Sequence, residues 1–171
     1  MADAINVSAG SQALLALSSV AGLSSVAADS NALIVPQMQD ITVNNTTGVF
    51  RWKQLDSTAE KAVTTPATNQ ITLNAVVDET TFFGDGANVI NTVVADGLFG
   101  ASKNKTKVYF AIGFEGADSG DQILTGAGYI SGLAPTVNMD APVWVTPVTI
   151  EVDGDFTNRS EEHTSELQSR P

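Results

Sequence analysis

Gly128–Phe156, GYISGLAPTVNMDAPVWVTPVTIEVDGDF, is the stretch that decides the fold. It reads as two strands joined by a turn. Tyr129, Ser131, Leu133 and Val137 alternate on one side of the first strand, and Met139-Asp140-Ala141-Pro142 breaks it. From Val143 the alternation restarts, with Trp144, Val148, Ile150 and Val152 on one face and Thr149, Glu151 and Asp153 on the other. Successive strand side chains point to opposite faces. One face therefore asks for a core, and the other is wet and negative at its end.

Working outward, Lys107–Glu115 (KVYFAIGFE) is a strand with Val108, Phe110, Ile112 and Phe114 on one face, and Gly116–Gln122 is a turn. Upstream, Val89-Ile90, Val93-Val94 and Leu98 repeat at helical spacing and predict one short amphipathic helix, with Asp85 as N-cap and Gly97 as stop. Gln70–Val77 reads as a strand. Asp40–Asn45 and Val49–Leu55 read as a hairpin turning at Asn45-Thr46-Thr47-Gly48. The polar segment Asp56–Asn69, with Glu60, Lys61 and Pro66, is expected to be a long loop between Val49–Leu55 and Gln70–Val77. Phe50, Trp52, Phe110, Phe114, Trp144, Val148 and Ile150 are the expected core anchors. The Ala/Ser/Leu-rich segment Ala2–Ser30 reads as a short helix or an arm packed on a neighbour. Together these elements predict a mainly β fold, an antiparallel sandwich or barrel-like subunit with one short flanking helix and a long hairpin loop.

The last residues, Arg159–Pro171 (RSEEHTSELQSRP), lack turn logic and hold the only His. Arg159–Arg170 resembles, residue for residue, a reading frame of a widely used short-read sequencing adapter, so this tail is expected to be non-native and disordered. The division expected is an N-terminal arm over 1–31, a β domain over 32–158 and the tail over 159–171. The tail carries two Arg and three Glu, so the net charge of −11 falls only to −10 without it. An acidic surface repels nucleic-acid phosphates, whose binding rests on Lys and Arg. Lys103, Lys105 and Lys107 form the one basic cluster and read as a solvated turn. Ala13–Val26 is too short to span a bilayer, and no positively charged leader precedes it.

The chain has no Cys and, outside the tail, no His. Acyl-transfer triads, thiol chemistry and His- or Cys-based zinc sites are not expected. The acidic pairs Asp118 and Asp121, Asp153 and Asp155, and Glu79 and Asp85 sit in turn contexts and lack a twelve-residue calcium loop. Gly126-Ala127-Gly128 with Gly132 misses the spacing of a dinucleotide fingerprint. No catalytic residue, cofactor or metal is assigned.

Asp78-Glu79-Thr80-Thr81-Phe82-Phe83-Gly84-Asp85 resembles the Thr/Phe-Gly-Asp element of phage tail tube proteins. Gly126–Ile130, Thr136–Met139 and Pro147–Phe156 are similar to that family's closing strands. The likeness spans about Ile34–Phe156. It implies a virion structural protein, made in the host cytoplasm. Hexameric rings of it would stack into a tube with other tail proteins, and DNA would pass through the lumen without specific binding or membrane contact. Thr149, Glu151 and Asp153 would then face the lumen, and the loop carrying Asp56, Glu60, Lys61 and Pro66 would contact the next ring. The alternatives are another virion part (tail terminator, baseplate subunit or capsid decoration protein) or a secreted β-sandwich binding module.

Overall fold

Thr-, Val- and Ile-rich segments of alternating polarity favour strands, which leave one pleated face for a core. The computed structural model describes residues 13–26, 31–35, 38–114 and 121–160. Its elements are β1 Leu14–Ser18, β2 Leu33–Ile34, β3 Met38–Thr46, β4 Val49–Lys53, β5 Glu60–Thr64, β6 Thr68–Val76, α1 Glu79–Phe83, α2 Thr92–Lys103, β7 Lys107–Gly113, β8 Gln122–Leu133, β9 Thr136–Asn138, β10 Ala141–Val152 and β11 Thr157–Ser160. The fold is mainly β and antiparallel. One nine-stranded sheet runs β2-β1-β7-β8-β10-β6-β3, with β11 paired to β8 and β9 to β10, and β4-β5 form a separate ribbon.

Among the described residues the sheet does not close into a barrel. Its two halves share one core, as in a sandwich. Leu15 and Leu17 from β1 and Phe110 and Ile112 from β7 meet Ile71 and Leu73 from β6 and Val148 and Ile150 from β10. Val93, Leu98 and Ala101 of α2 complete this cluster. β1 and β7 are covered on their other face as well, where Ala16, Ala111, Ile123 and Val26 form a second cluster. Strands buried on both faces read as continuous apolar runs. The N-terminal segment is thus neither helix nor detached arm over Leu14–Ser18, which pair with β7 inside the sheet. Residues 1–12 and 27–30 lie outside the described residues, as does most of the Gly116–Gln122 turn.

Two helices replace the one expected. Asp78 caps α1 by accepting from the Thr81 amide, and Asn91, not Asp85, caps α2. Gly97 does not stop α2 but kinks it at φ 68°. A Cβ there would meet the backbone of Phe82 and Gly84 at 2.5 Å, so glycine is what lets the two helices touch. Asn91 is fully buried. Its amide donates to Ser18 Oγ at 3.0 Å and to the Asn31 carbonyl at 2.7 Å, tying α2 to the end of β1.

Glycines in β8 allow close packing within the strand and make no turn. Phe110 lies opposite Gly126, and a Cβ on Gly126 would come within 2.6 Å of its ring. Phe156 meets the same ring edge-on, with centroids 5.9 Å apart. Arg159 and Ser160 do not leave the fold: they complete β11 opposite Ile123 and Gln122. The rest of the tail lies outside the described residues.

Candidate functional site

Two surfaces meet at the β3–β6 ladder. The first is the outer face of β8-β10-β6-β3. Inward, Ile71, Leu73, Ala75, Val148 and Ile150 are buried. Outward, register places Tyr129, Glu151, Gln70 and Asn44 in one row across four strands. Thr149, Thr72 and Thr42 form the next row, and Pro147, Asn74 and Asp40 the one after. Cross-strand bonds lock this polar wall. Gln70 Nε2 donates to Glu151 Oε1 at 2.6 Å, and Asn74 Nδ2 donates to Asp40 Oδ2 at 2.8 Å. Ser131 Oγ lies 3.5 Å from the same Glu151 oxygen, at the limit of a hydrogen bond.

The three residues read as the wet face of β10 differ in their partners. Thr149 is half-buried and neutral, and Glu151 is exposed with neutral donors. Asp153 forms an ion pair with Lys107 at 2.8 Å. Its hydrogen bond and charge raise the Lys107 pKa above 10.5. The net negative character of the wall therefore rests on Glu151 and Asp40. Of the other acidic candidates, Asp85 serves the backbone: its Oδ1 accepts from the amides of Ala87 and Asn88 at 2.9 and 3.2 Å. Asp118 lies outside the described residues.

The second surface is a projecting arm. β3 does not pair with β4, and Asp56–Asn69 is not a loop. β3 pairs with β6 up to Thr46 opposite Thr68. Beyond it the Thr65 amide donates to the Gly48 carbonyl at 2.8 Å, and β4 pairs with β5 from Val49–Thr64 to Lys53–Glu60. Gly48 permits this close approach, since a Cβ there would run into Thr65 Oγ1. Five residue pairs extend the ribbon by about 17 Å. Asp56 lies in the tip, Glu60 and Lys61 in β5, and Pro66 at the junction with β6.

The expected anchors divide accordingly. Phe110, Val148 and Ile150 are buried. Phe50 is 58% exposed and stacks on Trp52 at 5.9 Å, because nothing among the described residues covers that ribbon face. Phe114 stands past the end of β7. Trp144 has the parity of Val148, but the core ends at Thr146 and a register shift separates Ala141 from Val145, so Trp144 is 52% exposed. An exposed aromatic patch of Phe83 and Phe99 over buried Phe82 was not anticipated.

No family model matches the chain, and no curated protein matches it in sequence. Solved structures do match. The SPP1 tail tube superposes with TM-score 0.64 at 12% identity over 95% of this chain and 84% of that one. A chain of the virion of a native gene transfer agent particle matches with TM-score 0.60 at 9% identity, over 90% of this chain and 99% of that one. A chain of the tail of the empty gene transfer agent particle, a structure with C6 symmetry, matches with TM-score 0.54 at 10% identity over 90% and 99%. The fold of this chain is the tail tube fold.

Proposed function

We propose that this chain is a structural virion protein whose copies form hexameric rings that stack into a tail tube, through which DNA passes. The observation that carries the reading is the polar wall. A four-stranded face is backed by the core, is polar through the three rows from Tyr129–Asn44 to Pro147–Asp40, and ends in β3, whose outer edge has no partner among the described residues. An unpaired nine-residue edge invites another strand, and ring closure removes it. The C6 symmetry of the matched gene transfer agent tail supports six copies per ring. In such a ring Thr149, Glu151 and Asp153 face the lumen. Neutral Thr, Asn and Gln with scattered carboxylates give phosphates little to hold. The arm, with Asp56, Glu60 and Lys61 near its tip, reaches the adjacent ring.

The test is electron microscopy of the purified chain. Hollow tubes with six-fold end views are expected. Single closed rings without stacks point to a terminator, and a monomer at high concentration overturns the reading. In assembled particles, replacing Glu151 and Asp40 with Lys is expected to slow DNA release. Unaltered release rules out electrostatic repulsion as the role of the wall.

A further inference from the structure

The arm poses a physical problem that the other described residues do not solve. A two-stranded ribbon without a third layer is marginal in water. This one also carries an aromatic face: Phe50 lies opposite Val63 and Trp52 opposite Lys61, and all four are exposed. The opposite end of the same sheet carries a second uncovered apolar surface. There the β9–β10 turn presents Met139, which is fully exposed, with Val137, Val143 and Trp144. Register fixes how far apart the two lie. The arm leaves at Thr68, whereas Val145 pairs with Val76, eight residues or about 27 Å further along β6. The arm of a chain therefore cannot fold back onto its own turn.

Charge separates the two surfaces in the complementary sense. Arg51, Lys53 and Lys61 outnumber Asp56 and Glu60 on residues 49–64, in a chain of net charge −11. Neither 62–102 nor 108–158 contains a Lys or Arg. The far end carries Asp140 in the turn, and Asp78 and Glu79 where β6 passes into α1. The Val77 amide donates to the Trp144 carbonyl at 2.8 Å, which holds that acidic segment beside the turn. We infer that the Phe50/Trp52 face of the arm docks on the Met139–Trp144 turn of a second copy of this chain, with Phe50, Trp52 and Val63 against the apolar turn and Lys61, on the same face, towards the acidic end. Two different surfaces at opposite ends of one subunit make a heterologous contact, which repeats without limit along the sheet direction. The inference rests on the stacked-ring reading and specifies its contact surface.

The chain has no native cysteine, so introduced ones report the contact directly. Val63→Cys, on the arm face but outside the aromatic pair, is combined with Met139→Cys. Oxidation of the assembled full-length protein is expected to give a ladder of covalent multimers that collapses on reduction. The control pairs Val63→Cys with Phe83→Cys on the other exposed aromatic patch and is expected to give no ladder. Independently, Trp52→Ser and Trp144→Ser are each expected to raise the concentration needed for stacking at least about tenfold, as hot-spot aromatics do, with circular dichroism unchanged. A wild-type chain that stacks while the Val63/Met139 pair stays uncrosslinked, or while the Phe83 pair forms the ladder, overturns this contact and leaves the stacked-ring reading standing. A wild-type chain that never stacks overturns both.

Discussion

The wall and the arm follow one another along the chain as two antiparallel ladders, β3–β6 and β4–β5, yet they are stabilised in different ways. Along the wall, β6 alternates buried Ile71, Leu73 and Ala75 with half-buried Gln70, Thr72 and Asn74. Along the arm every residue of β4 and β5 is exposed. The backbone bonds of the two parts are alike, so the difference lies in what backs them. A ladder bond contributes about 1 kcal/mol net, whereas a buried aliphatic side chain contributes roughly 1.5–3 kcal/mol. The wall is folded by its own chain. The arm is paired by its own backbone, but no side-chain core among the described residues backs it. Such a division suits an assembling subunit, because the least self-sufficient part is the part offered to a partner.

The sharpest way to break this comparison is to truncate one apolar residue in each part and follow urea unfolding of dilute, unassembled protein. Ile150→Ala, at a position with no solvent exposure, is expected to cost about 2–5 kcal/mol. Phe50→Ala, on the uncovered ribbon face, is expected to fall within about 0.5 kcal/mol of wild type. Equal losses at the two sites would show that the arm packs on its own subunit. A smaller contrast comes from glycine. Gly126→Ala forces a methyl to within 2.6 Å of the Phe110 ring in the dry core and is expected to cost about 1–3 kcal/mol. Gly48→Ala meets the Thr65 hydroxyl at the arm junction, where a side chain near solvent can turn away. Its expected loss, from the same unfolding curves, is below that of Gly126→Ala, and the reverse order would mean that the junction is as rigid as the core.

The same contrast governs what the sequence made legible. Val148 and Ile150, and Ile71 with Leu73 and Ala75, announce a half-buried sheet because period two is visible wherever one face meets a core. β5 could not announce itself: Glu60–Thr64 has no buried face, so its residues read as a polar loop. Asn45–Gly48 carries turn chemistry, but whether β3 pairs with β4 or β6 is decided by long-range register, which local turn residues do not encode. Leu14-Leu15-Ala16-Leu17 is apolar on both faces, and such a run fits a helix segment or a two-sided strand equally well. Trp144 shows the limit of parity, which assigns a side but not where the core stops. Of the candidate site, Thr149 and Glu151 were legible as a wet face. The neighbours that complete the wall, Gln70, Thr72, Asn74 and Asp40, depend on which strands lie beside β10. Nor could the sequence show that Asp153 is paired with Lys107, forty-six residues away.

Within the wall, Gln70→Ala removes the donor to Glu151 and is expected to cost about 0.5 kcal/mol, since the site is open to water. The conservative Gln70→Asn shortens the reach and is expected to cost nearly as much. If Gln70→Ala is neutral, the row is held by backbone pairing alone, and its side chains matter only to what passes over them.

The smallest expected effect belongs to the Lys107–Asp153 pair at the rim of the wall, and its direction follows from linkage. The hydrogen bond and charge of Asp153 raise the Lys107 pKa in the folded state above its ordinary 10.5. A raised lysine pKa stabilises the fold fully below the unfolded value, and the contribution disappears as pH climbs through the folded value. Wild-type stability is therefore expected to fall more steeply above pH 10.5 than that of Lys107→Met, and to match it more closely again once the lysine is neutral. Both side chains are about half exposed, so salt should flatten the difference. The variant also bears on the wall, because it leaves Asp153 as a third unpaired carboxylate beside Glu151 and Asp40. If repulsion of phosphate is what the wall contributes, Lys107→Met should speed DNA release from assembled particles even as it slightly weakens the subunit. A variant that loses stability without changing release would confine Asp153 to a structural role and leave the charge of the wall to Glu151 and Asp40.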